Sequence, residues 1–476
     1  MKITKRILGV ILCAVALTGT APITGSAEEP FKSTPAEQKS LHLTIYNQNL
    51  GLVKDVRELS LATGIHSLWF EGVAARIDPT SVSIRSLTAS DRLEVLEQNF
   101  EYDLISPRKL MEKYVGRTVE LVRTIDDRDE IVQAKLIGTD NGYVYEIAGK
   151  IAVNPPGRVV LPSLPKGLIS KPSLVWLLDN GRKNHTIEAS YLTADISWKA
   201  DYVAVLSKDD SKVDLSGWVT IDNKSGATYE DATLKLVAGD IHRVQPERPM
   251  VMLADEMHVR GGRAQSFQEE SFFEYHLYTL TRKATVKNNQ TKQIGLLSAE
   301  DVGVEKSFVY ASNGRYYITR MGGPDTRTKV GVYVSLENSS ENNMGMPLPK
   351  GVVRMYKKDQ DGALQFIGED RIDHTPEDEV IRLKVGDAFD IVAERVQTDY
   401  KVLSSGHLYE SAYKVTIRNH KEEDIVVSVV EQLYGDWEVV QKSHAFEKEA
   451  SHRIRFDVPI ERKASTELIY TVRVKY

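Results

Sequence analysis

The densest group of chemically active side chains is the run Glu369-Asp370-Arg371-Ile372-Asp373-His374-Thr375-Pro376-Glu377-Asp378-Glu379. It holds one histidine and six carboxylates within eleven residues. Carboxylate oxygens at this density suit a hard cation such as calcium, and Asp370, Asp373, His374, Asp378 and Glu379 are the candidate ligands. The run lacks the glycine-punctuated ligand order of an EF-hand loop, and acidic turns on folded proteins are more often solvated. His374 could instead act as a base oriented by Asp373 or Asp378, but no nucleophile stands beside it. His276 shares a strand face with Glu274 and Tyr278; a metal there would need ligands from elsewhere in the chain, and a hydrogen-bonded histidine is the simpler reading.

Other chemistries leave no trace. There is no Gly-rich phosphate loop, no Gly-x-Ser-x-Gly elbow and no His-Glu-x-x-His pair. No catalytic residue and no cofactor are therefore assigned. The single cysteine, Cys13, lies in an apolar N-terminal run. The bulky Leu12 before it argues against lipid attachment. Beyond that run the chain has no thiol for catalysis, disulfides or a thiolate metal site.

Lys2, Lys5 and Arg6 precede the apolar stretch Ile7 to Leu17, and Gly25-Ser26-Ala27 offers a small-residue cleavage site. This is the layout of a secretory signal peptide over 1–27. Cleavage removes three basic residues and no acidic one, taking the formal charge from −6 to −9. A chain this acidic is not expected to bind nucleic acid through phosphate neutralisation. No later apolar run reaches the ~18 residues of a spanning helix, so the mature chain is expected to lack a transmembrane segment.

The rest of the sequence reads as short strands between turn residues, an all-β pattern of multi-domain antiparallel β-sandwiches with one or two short helices. Residues 28–39 read as a tether and 40–244 as an N-terminal sandwich. Near 106–165 lies a small inserted β-barrel, opened by a helix that Ser106 caps, Pro107 starts and Gly116 ends. Asn141-Gly142 and Asp359-Gln360-Asp361-Gly362 mark hairpins. Residues 245–270 read as a flexible linker, and 271–476 as a C-terminal sandwich region. Within it, Phe273 to Leu280 alternates, and Lys292 to Leu297 is expected to return beside it after a turn at Asn288-Asn289. Trp176, Trp198 and Trp218 are expected to fill the space between sheets, with a carbohydrate platform as the functional alternative.

Four stretches carry a family resemblance: Tyr191 to Tyr202; Leu215 to Gly226 with Leu234 to Asp240; Phe273 to Leu297; and Phe366 to Gly386 followed by Val415 to His420. Together they resemble bacterial proteins carrying the domain of unknown function numbered 4139, distantly like the mucoidy-inhibitor A family. The resemblance spans roughly residues 40–476. It implies a secreted or envelope protein of β-sandwich build and brings no catalytic residue with it. Distant relatives carry a coiled-coil segment, whereas this chain has no long heptad pattern.

The expectation is an exported, noncatalytic protein of the periplasm or exterior that binds a protein partner or envelope component. The alternatives are an envelope hydrolase with carboxylates from distant strands, and a calcium-dependent module built on 369–379. If 1–27 is a cleaved signal, N-terminal sequencing of the exported protein will begin at Glu28; a start at Met1 in that fraction excludes cleavage.

Overall fold

The computed structural model describes residues 30–125, 128–239, 241–242, 267–312, 317, 319–321, 323–324, 329–404 and 407–475. The expected signal peptide and residues 245–266 of the expected linker lie outside the described residues.

The protein is an all-β assembly of several sheets, with one α-helix among the described residues. Two large sheets face each other in the first part. The larger orders Phe267–Phe272, Tyr275–Leu280, Tyr229–Ala238, Gln38–Tyr46, Leu50–Ser60, Asn184–Ala194 and Ser83–Ser86. The smaller orders Gln290–Gly303, Lys212–Asn223, Ile196–Leu206, Gly351–Lys358 and Leu364–Ile372. Strand alternation turns Leu43, Ile45, Val53, Ile187 and Leu234 inward from one side and Trp198, Tyr202, Val219 and Ile221 inward from the other. Leu68, Phe70, Leu174 and Trp176 join the same core from a four-stranded sheet containing Gly64–Glu71 and Ser173–Asn180.

The chain from residue 30 onward is not a loose tether. Phe31–Ser33 pairs in parallel with Gly64–Glu71. Thr34 and Glu37 then cap the turn Pro35–Glu37 reciprocally. Buried Arg57 fastens the segment by donating to the Ser33 carbonyl at 3.0 Å, while its guanidinium lies 3.5 Å from the centre of the Phe70 ring.

The segment 245–270 does not divide two packing units. Tyr229–Ala238 before it pairs with Tyr275–Leu280 after it. Gln290–Gly303 likewise pairs with Lys212–Asn223, so Lys292 to Leu297 joins the opposite sheet instead of returning beside Tyr275–Leu280. The reason lies in the turn: Asn289 takes a positive φ of 54°, and its N–H donates to the Asn223 carbonyl, which aims the chain at the facing layer.

The expected barrel is an open sheet. It orders Lys150–Val153, Val144–Ile147, Arg128–Gly138, Thr118–Ile125 and Arg158–Val160, and its two outer strands do not pair among the described residues. Those strands are only four and three residues long. The helix Pro107–Tyr114 covers one face instead, burying Met111 and Tyr114 against Leu121, Leu136 and Tyr145. Ser106 caps it, accepting from the Lys109 N–H.

The second core lies between a six-stranded sheet, which includes Glu305–Ala311, Gly331–Glu337, Ile425–Gln432 and Arg453–Ile460, and a four-stranded sheet of Ile391–Ser404, Leu408–Asn419, Ser465–Lys475 and Asp436–Lys442. At its centre Arg395 from one sheet meets Glu431 from the other at 3.2 Å, both essentially without solvent exposure. Tyr317 and Tyr470 donate to the same carboxylate at 2.5 and 2.6 Å, Ser312 donates a further hydrogen bond, and Arg395 lies 3.7 Å from the Tyr413 ring centre. Removing one member of a buried pair strands the other's charge, whereas a matched apolar pair need not. Glu431→Leu or Arg395→Met alone is expected to cost about 3–5 kcal/mol in urea unfolding, and the double change Arg395→Met, Glu431→Leu much less than the sum of the two. A double loss equal to that sum would show that the pair is not coupled.

Candidate binding site

A large open site lies on the outer face of the six-stranded sheet. Phe308 and Tyr310 point into the second core. Alternation therefore sends Ser307 and Val309 outward, and Ser428, paired with Val309, and Val430, paired with Ala311, face the same way. The antiparallel neighbour adds Asp457 opposite Ser428 and Arg455 opposite Val430. The turn 207–212 of the first sandwich overhangs this face, and a groove of about 900 Å³ opens between them. It is lined by hydroxyls, aliphatic side chains and charges of both signs.

Most of those charges are paired. Arg455 meets Glu447 at 2.6 Å, Glu449 at 2.9 Å and Asp457 at 3.2 Å. Ser428 donates to Asp457 at 2.8 Å. Across the groove Asp210 joins Lys306 at 2.7 Å and also Lys357, linking the overhanging turn to one strand of each large unit. The turn is itself rigid: Ser211 and Ser207 donate to Asp209, which brings that carboxyl down to about 2. Burial would raise the Asp210 pKa, but hydrogen bonds from Lys306 and Lys357 and their charges leave it below the ordinary value. Glu423 is lowered by its hydrogen bond to Lys421, against partial desolvation. At neutral pH these two groove carboxyls are therefore ionised acceptors, not proton donors.

The acidic turn does not converge. Asp370 accepts from the N–H groups of Arg371 and Lys384 at 2.8 and 2.7 Å. The Asp373 carbonyl accepts from the Thr375 hydroxyl. His374 Nδ1 accepts from the Lys350 N–H at 3.2 Å, and its Nε2 lies 3.4 Å from the Asn47 amide. Asp378 has a positive φ of 64° and pairs through its backbone with Asn338, as does Glu379. Among the described residues no group of three or more such side chains comes together to hold a metal ion. These groups shape a turn against Asn338 and Lys350. His276 sits 2.7 Å from Glu269 on the neighbouring strand.

Two of the three tryptophans noted in the sequence are core residues: Trp176 and Trp198 are 0 % and 3 % exposed. Trp218 departs from that expectation at 42 % exposed, because Leu215, Gly217, Val219 and Ile221 take the inward positions of its strand. The apolar space between Tyr202, Leu215, Leu336, Met355 and Leu383 is only about 20 Å³, room for a single water-sized sphere, and is part of the core.

No protein-family model matches the chain, and no curated protein matches it.

Sequence reading missed the groove because its residues span 209–457 and share no local motif. The available signal was parity: Ser307 and Val309 alternate with Phe308 and Tyr310. Asp210 also yields a pH test. Its folded pKa lies below the unfolded value of 3.8, so its stabilisation is full above that value and is lost as pH falls through the lower folded one. The melting-temperature difference between wild type and Asp210→Asn is therefore expected to be constant from pH 7 to about 5 and to shrink below about 4. A difference that grows on acidification would reverse this assignment.

Proposed function

We propose that the chain is an exported, noncatalytic β-sandwich protein of the bacterial envelope that holds a protein partner or envelope component in the groove. The observation that carries this reading is the groove itself. It is an open space of about 900 Å³ on a sheet face, in which Asp210, Glu423, Glu449 and Asp457 are tied into ion pairs. Such a surface offers fixed hydrogen-bonding and apolar contacts without a poised proton donor. Export is supported by the basic and apolar N-terminal pattern with its small-residue site. An envelope setting is supported by the resemblance to proteins carrying the domain of unknown function numbered 4139. Among the described residues no helix is long and apolar enough to cross a membrane.

The test is site-specific photo-crosslinking in intact cells. A photoreactive residue replaces Val426, which is half exposed in the groove, and, as a control, Ile65 on a distant strand. One recurrent adduct at position 426 that is missing at position 65 is expected. Identical adduct patterns at both positions, or none at 426, would sink the reading.

A further inference from the structure

A different face of the molecule, apart from the groove, presents an exposed tryptophan. We propose that the outer face of the five-stranded sheet around Trp218 is a carbohydrate-binding platform for a short oligosaccharide of pyranose sugars.

Four observations lead there. First, Trp218 is the one tryptophan of the three that its strand turns outward, and it is 42 % exposed. Its cross-strand partner on the edge strand is Gly295, where an added Cβ would meet open space. One flank of the indole therefore has no side chain against it at the paired position.

Second, the partner on the other side is Asp201, on the same face and only 7 % exposed. Its carboxylate is fixed by donors: Thr220 at 2.7 Å, Lys199 at 3.2 Å and Arg354 at 3.2 Å. Gln293 donates to the Thr220 hydroxyl at 3.1 Å, and Arg354 reaches on to Glu369 at 3.4 Å. An ordered row of amide, hydroxyl, carboxylate and guanidinium thus runs beside an exposed ring.

Third, this combination matches pyranose chemistry. A pyranose has a face of C–H groups that lies well on an aromatic ring, and rim hydroxyls that each donate and accept. The ring would take the apolar face. The fixed polar row would take the rim, with little ordering cost because its members already hold one another.

Fourth, Tyr356 and Phe366 pack edge to face at 5.7 Å on the same side of the sheet. Tyr356 lies two strands across and four residues along from the Trp218 rung. Strand rise and spacing put the two aromatic positions roughly 16 Å apart, the reach of a short oligosaccharide and not of one sugar. The charges on this face are mixed in sign, which does not suit a polyanion.

A purely structural role makes a different statement: an aromatic residue across from an edge-strand glycine can serve to shield that glycine's backbone. The experiment separates the two. The mature full-length chain is titrated by calorimetry with a β-linked glucose tetrasaccharide and a β-linked N-acetylglucosamine tetrasaccharide, and tryptophan fluorescence is read in parallel. Binding of at least one probe is expected, with affinity falling about tenfold or more in Trp218→Ala and severalfold in Gln293→Ala, an exposed position whose loss leaves the core intact. Circular dichroism and melting confirm that each variant is folded. The groove variant with the photoreactive residue at 426 is expected to bind sugar like wild type, so failure of either site leaves the other standing. No binding of either probe by wild type overturns the platform. So does a Trp218→Ala protein that melts earlier yet binds unchanged, because the ring then only covers Gly295.

Discussion

Gly351 brings two distant strands into backbone contact. A Cβ at this position would lie 2.3 Å from the Ala200 carbonyl oxygen and 2.9 Å from the Tyr202 ring. Only a residue without a side chain lets Gly351–Lys358 start alongside Ile196–Leu206 in parallel register. Tyr202 seals the entry by donating to the Pro349 carbonyl at 2.7 Å. A parallel pair needs a long crossover, and here it runs from residue 207 to 350. That crossover carries edge strands of both large sheets and the first strands of the six-stranded sheet. The first core therefore cannot close until residues 351–372 have arrived. Such long-range pairing is slow to form, because chain entropy is lost before the contacts return stability.

The same junction explains why the groove and the Trp218 face lie where they do. Once the late strands are locked into the first sandwich, the turn 207–212 is held over the six-stranded sheet, and Asp210 bridges Lys306 and Lys357. The groove is the space left between these two bodies. The sheet of Lys212–Asn223 and Ile196–Leu206 is simultaneously left with one face uncovered by another sheet, which is where Trp218 stands exposed beside the shielded Asp201. The buried Arg395–Glu431 pair plays a separate part. It sits between the two sheets of the second core and fixes their facing through a set of directional hydrogen bonds that apolar packing alone does not impose.

Much of the fold could be read from alternation and turns. The helix at Pro107–Tyr114, the Asn141-Gly142 turn with both residues at positive φ, and the hairpin closed by Gly362 follow local rules. What local rules do not carry is partner choice. Lys292 to Leu297 has the composition of a strand that could pair with Tyr275–Leu280, yet it pairs with Lys212–Asn223 in the opposite layer. The acidic run at 369–379 looked like a ligand set because carboxylates are counted along the chain; in space, Asp370 faces backbone N–H groups and His374 faces Lys350 and Asn47. Trp218 was legible in principle. It occupies an even position in a strand whose inward residues, Val213, Leu215, Val219 and Ile221, are odd. Grouping tryptophans by type, and not by parity, hid it.

The open five-stranded sheet and its helix enter and leave the host through one rung of a ladder. Leu93–Glu101 precedes it and Ser173–Asn180 follows it, and Glu101 is paired directly with Ser173. Residues 102–172 are thus a cassette plugged into a single hairpin. The host does not need this cassette to bring its two ends together, since the pairing of the flanking strands already does so. Loop-closure entropy grows only slowly with loop length, so exchanging the cassette for a short turn changes that term little. The cassette has its own apolar centre around Leu121, Leu136 and Tyr145. The cassette can thereby be removed, exchanged or enlarged without renegotiating the sandwiches behind it.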